Sequence, residues 1–86
     1  MDSIINEVMT NYTMLDIIKI QKQLSYNHVD SEMYTDWLDV EFENIEIQVY
    51  QSGEVMIINH YHKPITNLQK FADIIEIINH NQKEGH

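Results

Sequence analysis

An α+β domain is the fold class this sequence predicts: a small antiparallel sheet of two to three strands, packed on one face by N-terminal and C-terminal helices. Three observations lead there. Residues 38–62 alternate apolar and polar side chains around one glycine turn, residues 66–80 carry an apolar stripe behind a capping motif, and residues 3–25 repeat apolar side chains at helical spacing. At 86 residues the chain has the length of one domain, 1–86. A chain this short buries a limited share of its surface, so its core must be tight or shared with a partner.

The N-terminal segment divides into two helical faces. Ile4, Ile5, Val8, Met9 and Tyr12 share one side, and Met14, Ile17, Ile18, Ile20 and Leu24 share nearly the opposite one. That change of phase predicts a break near Thr10–Thr13, with Thr13-Met14-Leu15-Asp16 as a capping box that restarts the helix. Helices are expected near 3–10 and 14–25. Beyond them, Asp30 or Ser31 is expected to cap a short helical turn presenting Tyr34, Trp37 and Leu38, with Trp37 in the core or at its edge.

The middle of the chain reads as strand. Leu38, Val40 and Phe42 alternate with Asp39, Glu41 and Glu43, and then the phase slips: Ile45, Ile47 and Val49 alternate with Glu46, Gln48 and Tyr50. The slip predicts either a bulge or a two-residue turn at Glu43-Asn44. Ser52-Gly53 is expected to be the next hairpin loop, because glycine supplies the positive φ of such turns. That loop sets Val49 opposite Met56 and Ile47 opposite Ile58, and turns Val55 and Ile57 toward the solvent face. Pro64 stops the returning strand, Thr66-Asn67-Leu68-Gln69 reads as a capping box, and a helix is expected over about 66–80. Its stripe of Ile65, Leu68, Phe71, Ala72, Ile75 and Ile78 should cover the sheet, and the polar tail from Asn79 onward should fray.

Composition excludes several function classes. There is no cysteine, so neither disulfides nor thiolate metal sites are available. No apolar run approaches the ~18 residues of a membrane span. The first seven residues hold two acids where a secretory signal would hold basic side chains, which predicts a cytoplasmic protein, in the host cytoplasm if phage-encoded. Fourteen isoleucines and eight asparagines, with no arginine, give a bias typical of AT-rich genomes. No glycine-rich phosphate loop, nucleophile elbow or cysteine nucleophile occurs, and the expectation is that the chain is not an enzyme and needs no cofactor. His60 and His62 alternate on one side of the expected strand, but no third ligand stands at recognisable spacing, so no metal site is assigned.

The formal charge of −9 is the most informative feature, because of where it lies. Between Lys22 and Lys63 there is no positive side chain, while Asp30, Glu32, Asp36, Asp39, Glu41, Glu43, Glu46 and Glu54 bring that stretch to −8. Such a balance repels naked nucleic acid. Asp39, Glu41 and Glu46 are expected on the sheet face opposite the core, with Glu43 at the turn. Alternate residues on a strand stand about 6.6–6.8 Å apart, an interval comparable to that between successive phosphates of a nucleic-acid strand. A row of carboxylates so spaced can engage lysines and arginines built to hold phosphates. Tyr34, Tyr50 and Ile57 supply aromatic and apolar contact beside Asp36 and the other acids, the mixture that protein-binding surfaces use.

The expected function is therefore a small acidic protein-binding inhibitor whose partner is a protein with a basic nucleic-acid-binding groove. The candidate partner-binding residues are Tyr34, Asp36, Asp39, Glu41, Glu43, Glu46, Tyr50 and Ile57. In size, acidity, absence of cysteine and AT-type composition the chain is similar to the inhibitors that phages direct at bacterial nucleases, among them DNA mimics and anti-CRISPR proteins. That likeness is one of general character and involves no residue motif. Two other readings compete with it. A soluble domain can expose a charged sheet face for solubility alone. A homodimeric, antitoxin-like interaction module could instead be held by apolar contacts, with Met9, Ile57 and Ile77 as surplus side chains for such a surface.

Overall fold

The computed structural model describes residues 5–10, as backbone alone, and residues 14–82. The fold is α+β. Strand β1 (Ile5–Thr10) is followed by helix α1 (Ile17–Tyr26), strands β2 (Ser31–Met33), β3 (Trp37–Phe42), β4 (Ile45–Tyr50) and β5 (Glu54–Asn59), and helix α2 (Leu68–His80). The strands form one antiparallel sheet in the order β1-β5-β4-β3-β2. Strands β2 to β5 make a meander, and β1 closes the far edge of β5. The first and second strands thus lie at opposite edges, and α1 carries the chain between them across one face of the sheet.

Two expectations about the first half are corrected. Residues 5–10 are a strand rather than a helix, paired from Ile5↔Asn59 to Thr10↔Glu54. An isolated helix of that length is marginal in water, whereas β5 presents a full backbone edge that needs partners, and Ile5, Val8 and Thr10 are β-branched. Residues 31–33 are likewise a strand, set against β3 as Ser31↔Val40, Glu32↔Asp39 and Met33↔Leu38. The sheet accordingly has five strands instead of two or three. The expected break at residues 10–13 and the capping role of Thr13 lie outside the described residues.

Helix α1 begins at Asp16, whose carboxylate accepts from the Lys19 amide at 3.2 Å. At its other end the Val29 amide donates to the Leu24 carbonyl at 2.9 Å and the His28 amide to Ser25 at 3.0 Å, with His28 at φ 59°. This is a Schellman stop, with a histidine in the left-handed position usually taken by glycine and the apolar pair Leu24–Val29 buried beneath it.

Helix α2 is capped by Asn67, which accepts from the Lys70 amide at 3.0 Å, so the expected Thr66 capping box is displaced by one residue. The segment expected to fray from Asn79 is ordered through Gln82. Asn81 is 6% exposed, bonds Gln23 Oε1 and the Ile77 carbonyl through Nδ2, and accepts from the Asp16 amide at 3.0 Å. One asparagine therefore ties the end of α2 to the start of α1.

The core lies between the helices and one sheet face. Leu15, Ile17, Ile20 and Leu24 meet Leu38, Val40, Ile45, Ile47, Val49 and Val55, and Ile74 and Ile78 close the cluster from α2. Among the described residues no helix is long and apolar enough to cross a membrane.

Candidate protein-binding face

The site follows from strand alternation. In β3 and β4 the side chains of Leu38, Val40, Ile45, Ile47 and Val49 are buried against the helices. Their neighbours Trp37, Asp39, Glu41, Glu46, Gln48 and Tyr50 must then project from the opposite face, and none of them belongs to the core cluster. Glu32 joins this face from β2, opposite Asp39, and Met56 and Ile58 join it from β5 through the pairs Gln48↔Met56 and Glu46↔Ile58. Neither helix covers it.

The β4 residues on the open face form a hydrogen-bonded line. Tyr50 donates its hydroxyl hydrogen to Gln48 Oε1 at 3.0 Å, and Gln48 Nε2 donates to Glu46 Oε2 at 3.3 Å. His60 Nε2 lies 2.9 Å from Glu46 Oε1 and must carry the hydrogen, because the carboxylate can only accept. Glu46 is held below the ordinary carboxylate range: partial burial opposes this, and the hydrogen bonds from His60, Asp39 and Gln48 outweigh it. Asp39 behaves in the opposite way and is pushed up to about 7, by burial first, then by its hydrogen bond with Glu46 and by the charges of Glu46, Glu41 and Glu32. Its Oδ1 is shut off from solvent and accepts no hydrogen bond, the arrangement that penalises a charged carboxyl most. Near neutral pH the Asp39–Glu46 pair therefore shares a proton.

At one end of this face three rings stack. Tyr34 and Trp37 lie 4.4 Å apart between centroids with planes 10° apart, and Trp37 and Tyr50 lie 5.6 Å apart at 20°. Trp37 is thus a surface residue in phase with the acids rather than a core residue. The alternation that places Leu38 inside already required this. Beside the column, Asp30, Ser31, Glu32, Asp39 and Glu41 line a hollow of about 130 Å³.

The expected site residues divide between this face and other roles. Asp39, Glu41, Glu46, Tyr34 and Tyr50 come together on it. Asp36 is exposed in the turn before β3, with its carbonyl accepting from the Gln51 amide at 2.9 Å. Glu43 occupies the two-residue turn between β3 and β4 at φ 55°, and its carboxylate accepts from the Thr66 amide (2.9 Å), the Thr66 hydroxyl (2.6 Å) and the Asn67 amide (3.1 Å). Those bonds hold its pKa below the ordinary value, and they commit Glu43 to anchoring the loop before α2.

Ile57 is corrected outright. The β4–β5 loop is three residues, Gln51–Gly53, with Gly53 at φ 107° and its amide donating to the Tyr50 carbonyl at 2.9 Å. Val49 then pairs with Val55 and Ile47 with Ile57, one residue away from the expected register, so Val55 and Ile57 turn to the core and Met56 and Ile58 to the open face. Ile77 also packs against the core, and the side chain of Met9 lies outside the described residues.

Six residues of the face escaped the sequence reading of the site: Glu32, Trp37, Gln48, Met56, Ile58 and His60. The strand ends at Asn59, so His60 and His62 do not alternate along a strand face as the sequence pattern suggests. Among the described residues no three metal-ligating side chains converge. Comparison with protein-family profiles, with curated proteins and with solved structures returned no match.

Proposed function

We propose that the open sheet face binds the basic nucleic-acid-binding groove of a partner protein and blocks it, its carboxylates standing where phosphates would lie. The reading is one of binding and inhibition, without catalysis. A single observation carries it: Glu32, Asp39, Glu41 and Glu46 project from a sheet face that neither helix covers, while the described lysines sit on α1, on α2 and in the turn before α2. Solubility alone is served by mixing both signs on a surface. This face instead sets acidic side chains directly opposite one another, in the pairs Glu32↔Asp39 and Glu41↔Glu46, with no lysine among them.

The test is affinity capture on the immobilised chain from a bacterial extract cleared of nucleic acid. Nucleic-acid-binding proteins should be retained, and released both by raised salt, which screens exposed charges beyond about 8–10 Å, and by added duplex DNA. The variant Asp39→Lys/Glu41→Lys/Glu46→Lys should retain none of them. Tight capture that survives this substitution, or that ignores competitor DNA, rejects the reading. The homodimer alternative predicts salt-resistant self-association, which sedimentation at two salt concentrations would reveal.

A further inference from the structure

The geometry points to an arginine-recognition site at the aromatic end of the open face, where a guanidinium of the protein partner stacks on Tyr34 and reaches the carboxylates of Glu32 and Glu41. The inference rests on the proposed role of the face and assigns its specificity. Tyr34 ends the ring column, with one side against Trp37 and 41% of its surface exposed. Its phenol lies close to three carboxylates: Glu32 foremost, with partial burial, Asp39, a hydrogen bond to Glu32, and Glu41 all raising its pKa above the ordinary value. The hollow lined by Asp30, Ser31, Glu32, Asp39 and Glu41 belongs to the same corner of the sheet.

Stacked rings accept any flat partner, and in a neutral surface they would suit nucleic-acid bases. Here the surrounding carboxylates repel phosphate, so the flat partner must be a cation. Guanidinium meets both conditions, because it is planar, stacks on aromatic faces and presents forked donors that match carboxylates. An ammonium group feels the same charge but has no plane to stack and no fork. The chain holds no arginine of its own. The ligand has to come from elsewhere.

Trp37 is the one tryptophan of the chain, so its fluorescence reports binding at this corner directly. The intact protein is titrated with nona-arginine, nona-lysine and a nine-residue oligothymidine at matched ionic strength. Nona-arginine should bind about fivefold tighter than nona-lysine, as expected for a stacked cation at an exposed ring. Tyr34→Phe should keep that ratio. Tyr34→Ala and the bulkier Tyr34→Leu should bring it to about one, with a far-UV circular dichroism spectrum matching that of the parent to show that the sheet is still folded. Equal affinity for the two peptides in the parent protein, a ratio that persists without the Tyr34 ring, or preference for the oligonucleotide would each overturn the arginine site. Equal and measurable affinity for both peptides leaves the acidic-face reading standing, whereas no affinity for either overturns both.

Discussion

Along β3 and β4, Leu38, Val40, Ile47 and Val49 are fully buried beneath the helices, whereas Asp39, Glu41, Glu46 and Gln48, interleaved with them, form an uncovered polar face. The two faces share one backbone and differ in how their side chains are satisfied. On the covered face every aliphatic group meets another supplied by the same chain. On the open face the directly opposed pairs are acid against acid, an arrangement that lowers stability. The chain relieves part of that tension internally, by keeping a proton on Asp39 and aiming His60 at Glu46. The covered face accounts for the fold; the open face is held at a cost in stability.

The largest break in this comparison should come from Ile47→Ala. Ile47 is 0% exposed at the centre of the sheet, and truncation there should lower the unfolding free energy by about 2–5 kcal/mol in urea titration. A loss below ~1 kcal/mol would mean that the covered face is not the source of stability.

A smaller effect, dependent on pH, should follow Asp39→Asn, whose amide keeps a donor toward Glu46 but cannot ionise. An acid with a raised pKa in the folded chain holds its proton more tightly there than when unfolded. Its contribution is therefore complete below about pH 4 and is lost as the pH climbs through about 7. Solvent near this half-exposed carboxyl limits the effect, and Asp39→Asn should exceed the parent by about 1 kcal/mol at pH 8 and match it near pH 4. Parallel thermal melts at the two pH values measure the difference, and a gap that does not change with pH contradicts the shared proton. The smallest effect belongs to Glu41→Gln, which removes one of two opposed charges and should raise stability by a few tenths of a kcal/mol at low salt, vanishing at high salt.

Strand alternation made much of this legible in advance. Leu38 through Val49 declared both faces of the β3–β4 hairpin and the placement of Asp39, Glu41, Glu46 and Tyr50, while the phase slip at Glu43-Asn44 left a bulge and a turn equally open. The position of helix α2 was equally plain behind Pro64, but its cap is Asn67 rather than Thr66, and Ile74 is buried where Leu68 and Ala72 of the expected stripe are exposed. What stayed hidden depends on contacts distant in sequence. Residues 5–10 carry apolar side chains at helical spacing, and the waiting edge of β5, distant in sequence, overrides that pattern. The role of Glu43 depends on Thr66 and Asn67, which no local pattern connects to it. One extra loop residue at Gln51–Gly53 inverted every side chain of β5, and with them Ile57. Trp37 was legible but was judged by its hydrophobicity instead of its phase.

The strand order also governs how the chain comes together in time. Strands β3, β4 and β5 each pair with the strand just before them, so β2 to β5 can assemble as neighbours. Strand β1 pairs with β5 across more than forty residues, from Thr10↔Glu54 outward. Contacts of such long sequence separation form slowly, because loop closure must precede them. Until β1 docks, the apolar run Val55–Ile58 presents a bare backbone edge, the kind that captures the same strand from a second molecule. Docking of β1 is the pairing that loop closure delays most, and exchange of β1 between copies is the failure to which a crowded refolding reaction is most exposed.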